Sequence, residues 1–270
     1  MIDKFILKAL SEDMPEGDIT TENIIPLNSQ SNARFIAKES GIISGINIAK
    51  RVFELVGGNF NMEILVNDGE MVSKGDVIAL IEGDTHTILK GERVALNIMQ
   101  RMSGIATKTY QCVSLCQGKT KILDTRKTMP NMRYFDKLAV THGKGTNHRY
   151  SLSDMVMIKD NHIEAAGSIT NAVNKVFGKV NCKIEVEVEN IEMFKEALNT
   201  PCDIIMLDNM TLEEMKECVI LNNGSKLLEA SGNMDSSRIE DVSKIGVDYI
   251  SIGALTHSVM ALDISLKFKK

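Results

Sequence analysis

The sequence contains no tryptophan, and aromatic residues make up only 4% of its 270 residues. It also lacks an apolar run long enough to cross a bilayer. The first residues, MIDKFILKALSED, carry acids within a short amphipathic pattern and do not form the apolar core of a signal peptide. The absence of a membrane span and of a signal-peptide core predicts a cytoplasmic protein with no membrane partner.

Cysteine is scarce, and positive charge is not in excess. The five cysteines form no C-x-x-C pair, which favours reduced thiols over a disulfide framework or a zinc site. A net charge of −5 offers no broad basic surface, so nucleic acid is not expected as a partner. The chain has 43% hydrophobic and 25% charged residues, as in an ordinary globular protein, and it is long enough for one barrel or two modest domains.

Against this acidic background one segment is strongly basic. Residues 119–149 contain eight lysines or arginines and two acids, so the rest of the chain carries a charge of −11. Arg126 and Lys127 follow a short apolar run that is typical of a buried strand, and Lys159 follows another. Cations at the carboxyl ends of strands point into the mouth of an α/β fold, where ligands bind. The pattern predicts a pocket for an anionic small molecule.

From residue 120 onward, strand-like runs alternate with helical ones. The candidate strands are KILDT, DMVMIKD, KIEVEVE, DIIMLDN, KLLEASG and DYISIGA. Strands that alternate with helices predict a parallel sheet, and about six such units with short connections predict an incomplete TIM-like α/β barrel.

The preceding residues have a shorter, mixed pattern of strands and helices. Turns at residues 67–69 and 74–76 separate apolar runs and predict hairpins. The change from this mixed pattern to regular strand–helix alternation predicts a first domain of residues 1–112 and a barrel of residues 113–259, with residues 260–270 returning to the first domain. The hairpins are weakly similar to biotinyl and lipoyl carriers, but we expect Lys74 to be a turn residue and not an acylated one.

Polar residues follow every candidate barrel strand. A cationic set suits carboxylates or phosphates: Arg126, Lys127, His148, Arg149 and Lys159. Glu187 and Asp208 suit a hard cation or a cationic sugar. The turns Ser231–Gly232 and Gly253–Ala254 fit the phosphate cradle that barrels form after their last strands, and His257 follows. Together these sets predict a phosphosugar substrate with Mg²⁺ and an anionic second substrate.

Some of these residues also fit ordinary structural roles. Alternation along a strand places Glu185, Glu187 and Glu189 on one face, which is equally consistent with a solvated face. His257 taken alone is more often structural than catalytic. Arg133 and Lys137 lie four positions apart on a predicted helix, and we interpret them as surface charges.

Seven motifs occur in a characteristic order between Glu16 and Ser258: DTRKTMPNMRYFDKLAV, GTNHRYSL, MIKDNHI, EVEVEN, MLDNM, EASGN and SIGALTHS. In order and spacing they resemble the quinolinate phosphoribosyltransferases, also called nicotinate-nucleotide pyrophosphorylases (carboxylating). The resemblance implies an N-terminal α/β sandwich domain and an incomplete barrel. It also implies a homodimer, sometimes assembled further, in which one subunit's sandwich covers the other's barrel mouth.

The resemblance implies transfer of a phosphoribosyl group to quinolinate with decarboxylation, a step of NAD biosynthesis. Residues that match the family's substrate site are Arg93, Thr125, Arg126, Lys127, His148, Arg149, Lys159, Glu187, Asp208, Ser231, Gly232, Gly253 and His257. Arg93 matches an arginine lent by the neighbouring subunit. Glu187 and Asp208 match acids that face the ribose and the Mg²⁺ of phosphoribosyl pyrophosphate. The residues expected to be catalytic are Lys127, Lys159, Glu187 and Asp208.

Two positions depart from the family pattern, and several alternatives stay open. Lys144 interrupts a loop that is usually glycine-rich, and Asn233 replaces the glycine usual after Ser-Gly. One alternative is a paralogous phosphoribosyltransferase, either molybdenum-associated or nicotinate-specific. Others are a barrel aldolase with a Schiff base on Lys159, a non-catalytic binding protein, and a lipoyl-type carrier.

Overall fold

The computed structural model describes residues 2–269, apart from the side chain of Ser236. Its helices are α1 (Ile2–Asp13), α2 (Ile19–Ile24), α3 (Ile46–Val56), α4 (Thr85–Leu115), α5 (Arg133–His142), α6 (Asp160–Ala166), α7 (Ile169–Val176), α8 (Ile191–Leu198), α9 (Leu212–Asn222), α10 (Ser236–Lys244) and α11 (Ala254–His257). Its strands are β1 (Gln30–Ala37), β2 (Gly41–Ile42), β3 (Phe60–Ile64), β4 (Met71–Val72), β5 (Val77–Asp84), β6 (Lys121–Leu123), β7 (Val156–Ile158), β8 (Ile184–Val188), β9 (Ile204–Asp208), β10 (Leu227–Ser231), β11 (Tyr249–Ser251) and β12 (Ile264–Phe268). Within residues 2–269, no helix has the length and apolar character needed to span a membrane.

The chain forms two compact units. The first contains the chain up to Tyr110, Met129–Lys144 and the segment from Ser258 onward. The second contains Gln111–Thr128 and Gly145–His257. The predicted ranges 1–112 and 113–259 therefore differ from the observed units mainly at residues 129–144, which the sequence pattern assigns to the barrel.

The first unit is built on an antiparallel sheet with strand order β12-β1-β5-β3, beside a short β2-β4 ladder. Helices cover it, and buried residues such as Phe35, Phe53 and Met99 fill its core. Residues 260–270 are expected to return to this unit, and within them β12 pairs with β1 from Ala37↔Ile264 to Ala33↔Phe268. Lys74 is exposed in the turn between β4 and β5.

Helix α5 explains why residues 129–144 belong to the first unit. Phe135 and Ala139 on α5 join the core of that unit, and the rings of Phe5 and Phe135 lie 4.7 Å apart. Lys137 on the same helix is only 1% exposed. The interpretation of Lys137 as a surface charge is wrong, because its side chain is buried.

The second unit is a parallel sheet with strand order β6-β11-β10-β9-β8-β7. Within the described residues β6 and β7 do not pair with each other, so the sheet is an incomplete TIM-like barrel, as predicted. Along β8, Val186 and Val188 join the apolar core, while Glu185 and Glu187 alternate with them. This alternation directs polar side chains to the opposite face of the sheet.

Candidate active site

A cavity of about 740 Å³ lies at the carboxyl ends of the six strands of the second unit. Its volume is within the usual range for a small-molecule site. Twelve residues predicted from the sequence line it: Thr125, Arg126, Lys127, His148, Arg149, Lys159, Glu187, Asp208, Ser231, Gly232, Gly253 and His257. Arg93 lies in the first unit, where its side chain is exposed on α4.

Two guanidinium groups dominate one part of the cavity. Arg149 donates from Nη1 to the carbonyl oxygen of Met155 at 3.2 Å, and its Nη2 lies 3.5 Å from the sulfur of Met157. Burial, together with the positive charge of Arg126, lowers the pKa of Arg149. Like charges repel each other, and a bound anion would relieve the repulsion between the two guanidinium groups. The arrangement favours a ligand with carboxylate or phosphate groups.

Two acids, the buried Asp124 and the exposed Asp154, fix the loop that carries Arg149. Asp124 is fully buried and accepts the backbone N–H of His148 at 2.8 Å. Beyond Arg149, the side chain of Asp154 accepts the backbone N–H groups of Tyr150 at 2.5 Å and of Ser151 at 2.9 Å. Because the backbone is held on both sides of Arg149, its side chain enters the cavity from a rigid position.

The acidic pair lies on neighbouring strands. Glu187 on β8 forms an ion pair with Lys159, and its side chain is 12% exposed. Asp208, at the end of β9, accepts a hydrogen bond from Nδ2 of Asn209 at 2.8 Å. A solvated face for the three alternating glutamates is wrong for Glu185 and Glu187, because these two point to the inside of the barrel; Glu189 is exposed.

The turns after β10 and β11 approach their neighbours closely. Gly232 has φ = 82°, and a Cβ at this position would lie 2.2 Å from Oδ1 of Asn209, so glycine is required there. Asn233 also has a positive φ, of 48°, and donates to Oδ1 of Asn209 at 3.2 Å. At Gly253 a Cβ would be tightly placed, 3.1 Å from carbon atoms of both Lys127 and His257. These turns bring the two loops against the cationic and acidic side chains.

His148 has a different environment from the other predicted cations. Its Nε2 lies 3.1 Å from Oε2 of Glu185 and 3.2 Å from Oε2 of Glu229, and its Nδ1 accepts the backbone N–H of Arg149 at 2.7 Å. Both ring nitrogens are therefore engaged by protein atoms.

The His148 ring and the carboxyl group of Glu185 have strongly perturbed pKa values. Burial lowers the pKa of His148, but the carboxylates of Glu185 and Glu229 raise it by more. The Arg149 amide opposes that rise, because a second ring proton would have to occupy the Nδ1 that accepts the amide hydrogen. We therefore assign one proton to the ring, on Nε2. Burial, followed by the charge of Glu229, raises the pKa of Glu185 to about 7.

The cavity residues that the sequence did not identify include Glu229 and the apolar Met157 and Met206. Glu229 lies two positions before Ser231 on β10, and so on the same face of that strand. Applying the two-residue period backward from each strand end would have identified it. The methionines could not be found in this way, because the sequence pattern selects polar residues and methionine is apolar.

Comparison with known proteins identifies close relatives over the whole chain. Family models described as the quinolinate phosphoribosyl transferase N-terminal and C-terminal domains match residues 18–103 and 105–267. Quinolinate phosphoribosyltransferase [decarboxylating] 1b of Nicotiana tabacum is 45% identical over 280 residues, which cover 96% of this chain and 80% of the relative. A probable nicotinate-nucleotide pyrophosphorylase [carboxylating] of Synechocystis sp. is 39% identical, with 99% and 92% covered. The crystal structure of NadC from Streptococcus pyogenes has a TM-score of 0.95 at 39% identity, covering 100% of this chain and 97% of that one.

Proposed function

The chain belongs to the quinolinate phosphoribosyltransferase family, and from this premise we propose that it transfers the phosphoribosyl group of phosphoribosyl pyrophosphate to quinolinate. The reaction releases pyrophosphate and CO₂ and forms nicotinate mononucleotide, so the enzyme is a decarboxylating pentosyltransferase of NAD biosynthesis. The observation that supports this best is the convergence of Arg126, Arg149 and Lys159 with Glu187 and Asp208 in one cavity.

In this proposal the cationic residues bind the two carboxylates of quinolinate. Planar guanidinium groups match carboxylates in bidentate geometry, and the mutual repulsion of Arg126 and Arg149 makes a doubly charged anion a favourable ligand. Lys159 forms an ion pair with Glu187. A substrate carboxylate would compete for Lys159 and so release Glu187 toward the ribose.

Glu187 and Asp208 act at the sugar. Positive charge develops on the ribose as pyrophosphate leaves, and preorganised carboxylates stabilise such charge. Their oxygen atoms also fit Mg²⁺, which prefers carboxylate and phosphate oxygens, so we propose that they hold the ion of the Mg²⁺-bound sugar phosphate directly or through water. The bound ion would neutralise charge on the diphosphate group. The residues of the turns at Ser231 and Gly253 would bind the phosphate groups.

Decarboxylation then needs little help from protein bases. Attack by the quinolinate nitrogen on the ribose leaves the ring positively charged, and such a ring stabilises the electron pair left when the adjacent carboxylate departs as CO₂. A proton from water then takes the place of the carboxylate on that ring carbon. The protein's part is to hold the two substrates in the reacting geometry, which contributes a large share of catalysis in such transfers.

The test measures CO₂ and pyrophosphate release from quinolinate and phosphoribosyl pyrophosphate, with Mg²⁺ and with a chelator. Arg149→Ala is expected to lower kcat/KM for quinolinate by roughly 10- to 100-fold, the effect of losing one or two charge-assisted bonds. The KM for phosphoribosyl pyrophosphate should change by less than about threefold, because Arg149 binds the other substrate. Arg34→Ala, at an exposed position on β1, is the matched control.

Three results would contradict the assignment. Activity with nicotinate and none with quinolinate would favour the nicotinate-specific alternative. Equal loss of affinity for both substrates in Arg149→Ala would contradict the assigned role of Arg149. Borohydride trapping of a substrate on Lys159 would favour an aldolase.

We further propose a cytoplasmic homodimer, or a larger assembly of dimers, in which Arg93 reaches the partner's cavity. Among the described residues no two cysteines form a disulfide, which supports a reducing compartment. Arg93 is exposed on α4 and available to another chain.

A further inference from the structure

Two fully buried glutamates contact His148 and have no part in the proposed reaction. Glu185 and Glu229 are both 0% exposed, and an Oε2 of each lies close to the same ring nitrogen, at 3.1 and 3.2 Å. Burying a carboxylate is costly unless protein groups hold it. Two of them around one histidine therefore require an explanation.

The hydrogen bond at the other ring nitrogen shows where the proton is. Arg149 donates its backbone N–H to Nδ1 of His148 at 2.7 Å. A nitrogen that accepts a hydrogen bond carries no proton, so the ring proton is on Nε2 and faces the two carboxyl groups. With an Oε2 of each glutamate within 3.2 Å of Nε2, Glu185 and Glu229 share this one N–H.

A metal ion is the competing explanation, because the three residues can place one ligand atom each within 4.8 Å of one another. A histidine that binds a metal through Nε2 normally donates its Nδ1–H to a neighbouring acceptor. Here Nδ1 accepts a hydrogen bond, so a metal on Nε2 would leave the ring without any proton. The geometry therefore favours a shared proton over a metal site.

We propose that Glu185 and Glu229 are positioning residues, which hold the His148 ring so that its Nδ1 fixes the backbone of Arg149 and directs that guanidinium into the cavity. The inference rests on the proposed function, in which Arg149 binds quinolinate. The chain of contacts is short: each carboxyl group touches Nε2, Nδ1 touches the Arg149 amide, and the Arg149 side chain lines the cavity. If the ring rotates, the amide loses its acceptor.

Kinetics of two variants at one position test the role. Glu229→Leu is expected to raise the KM for quinolinate about tenfold, the effect of losing one such hydrogen bond, with kcat within about threefold. Glu229→Gln should restore the KM to within about threefold of wild type, because the amide oxygen still accepts the Nε2 proton. The KM for phosphoribosyl pyrophosphate should stay unchanged in both. Glu192→Leu, at an exposed position on α8, is the control, and thermal unfolding checks that each variant is folded.

Nitrogen NMR of the full chain with ¹⁵N-labelled histidine tests the geometry without any turnover. The His148 signals, assigned with a His148→Gln variant, should show a protonated Nε2 and an unprotonated Nδ1 in wild type and in Glu229→Gln. Glu229→Leu should shift them.

The proposal is overturned if both ring nitrogens are protonated in wild type, or if the protein holds one equivalent of metal that Glu229→Gln loses. An unchanged KM for quinolinate in a folded Glu229→Leu would overturn it as well. Absence of quinolinate turnover in the wild type would overturn the proposed function instead, and the NMR pattern separates the two failures because it needs no turnover.

Discussion

Burial decides the chemistry of individual cysteines in this protein. Burial raises the pKa of Cys116 to about 11 and that of Cys218 to about 12, against an ordinary value of 9.0. Alkylating reagents attack the thiolate, which is then a very small fraction of either thiol at pH 8. We expect both residues to resist iodoacetamide at pH 8 in the folded protein, while the half-buried Cys182 reacts first. Peptide mass spectrometry of partly labelled protein measures this order.

The same shifts predict the direction of a stability change with pH. The folded state holds these thiol protons more tightly than the unfolded state, so their contribution to stability is fully present below pH 9. It is lost as the pH rises through about 11, where Cys116 ionises in the folded protein. Labelling of Cys116 at pH 8 as fast as that of Cys182 would contradict both expectations.

Residue types at strand ends carried most of the information about the cavity. Arg126, Lys159 and Asp208 could be identified because charged side chains at the ends of apolar runs have few structural reasons to be there. The environment of His148 could not be predicted, because its partners Glu185 and Glu229 are 37 and 81 positions away in the sequence and only the barrel brings them together. Long-range hydrogen bonds of this kind leave no local pattern.

At the scale of elements, the loop after α5 contains a residue other than glycine in a left-handed conformation, which destabilises the fold. Lys144 has φ = 66°, a left-handed conformation that favours glycine, and its Nζ lies 5.3 Å from the centre of the Tyr110 ring. Replacement by alanine keeps the strained backbone and loses the cation–π contact, whereas glycine removes the strain. Lys144→Gly is therefore expected to be more stable than Lys144→Ala by about 1 kcal/mol. Urea unfolding of the two variants measures the difference.

An exposed helical lysine provides the matched comparison. Lys108 lies within α4, where glycine is less favourable than alanine by about 1 kcal/mol. The order of the glycine and alanine variants should therefore reverse between positions 108 and 144. The same order at both positions would show that the backbone at Lys144 is not strained.

The sequence predicted elements well where a pattern was both periodic and local. The six barrel strands follow from apolar runs that end in polar residues, and their parallel pairing follows from the intervening helices. The departures at Lys144 and Asn233 could be recognised as unusual, and both have positive φ, at 66° and 48°. Helix α5 was misjudged because its sequence position lies between two barrel strands, and amphipathic periodicity does not say which core an apolar face joins.

At the scale of the whole molecule, the first unit draws on three separate segments of the chain. The return of the C-terminal segment could be inferred from its alternating pattern, and β12 pairs with β1. The assignment of Met129–Lys144 could not, since it depends on packing between residues far apart in sequence.

Complementation between two inactive chains tests whether Arg93 acts on a partner's cavity. Arg93→Ala and Arg149→Ala homodimers should each have low quinolinate activity, because every cavity lacks one arginine. In a mixed dimer, the cavity of the Arg93→Ala chain keeps its own Arg149 and receives Arg93 from the other chain, so one cavity of the two is complete. Mixed dimers isolated through two different affinity tags should recover about half of the wild-type activity, because only interactions within each cavity are coupled.

If Arg93 serves its own chain, each cavity of the mixed dimer still lacks an arginine, and activity stays at the level of the two variants. Mixing Arg93→Ala with Arg93→Lys chains is the control, since neither chain can then supply the guanidinium.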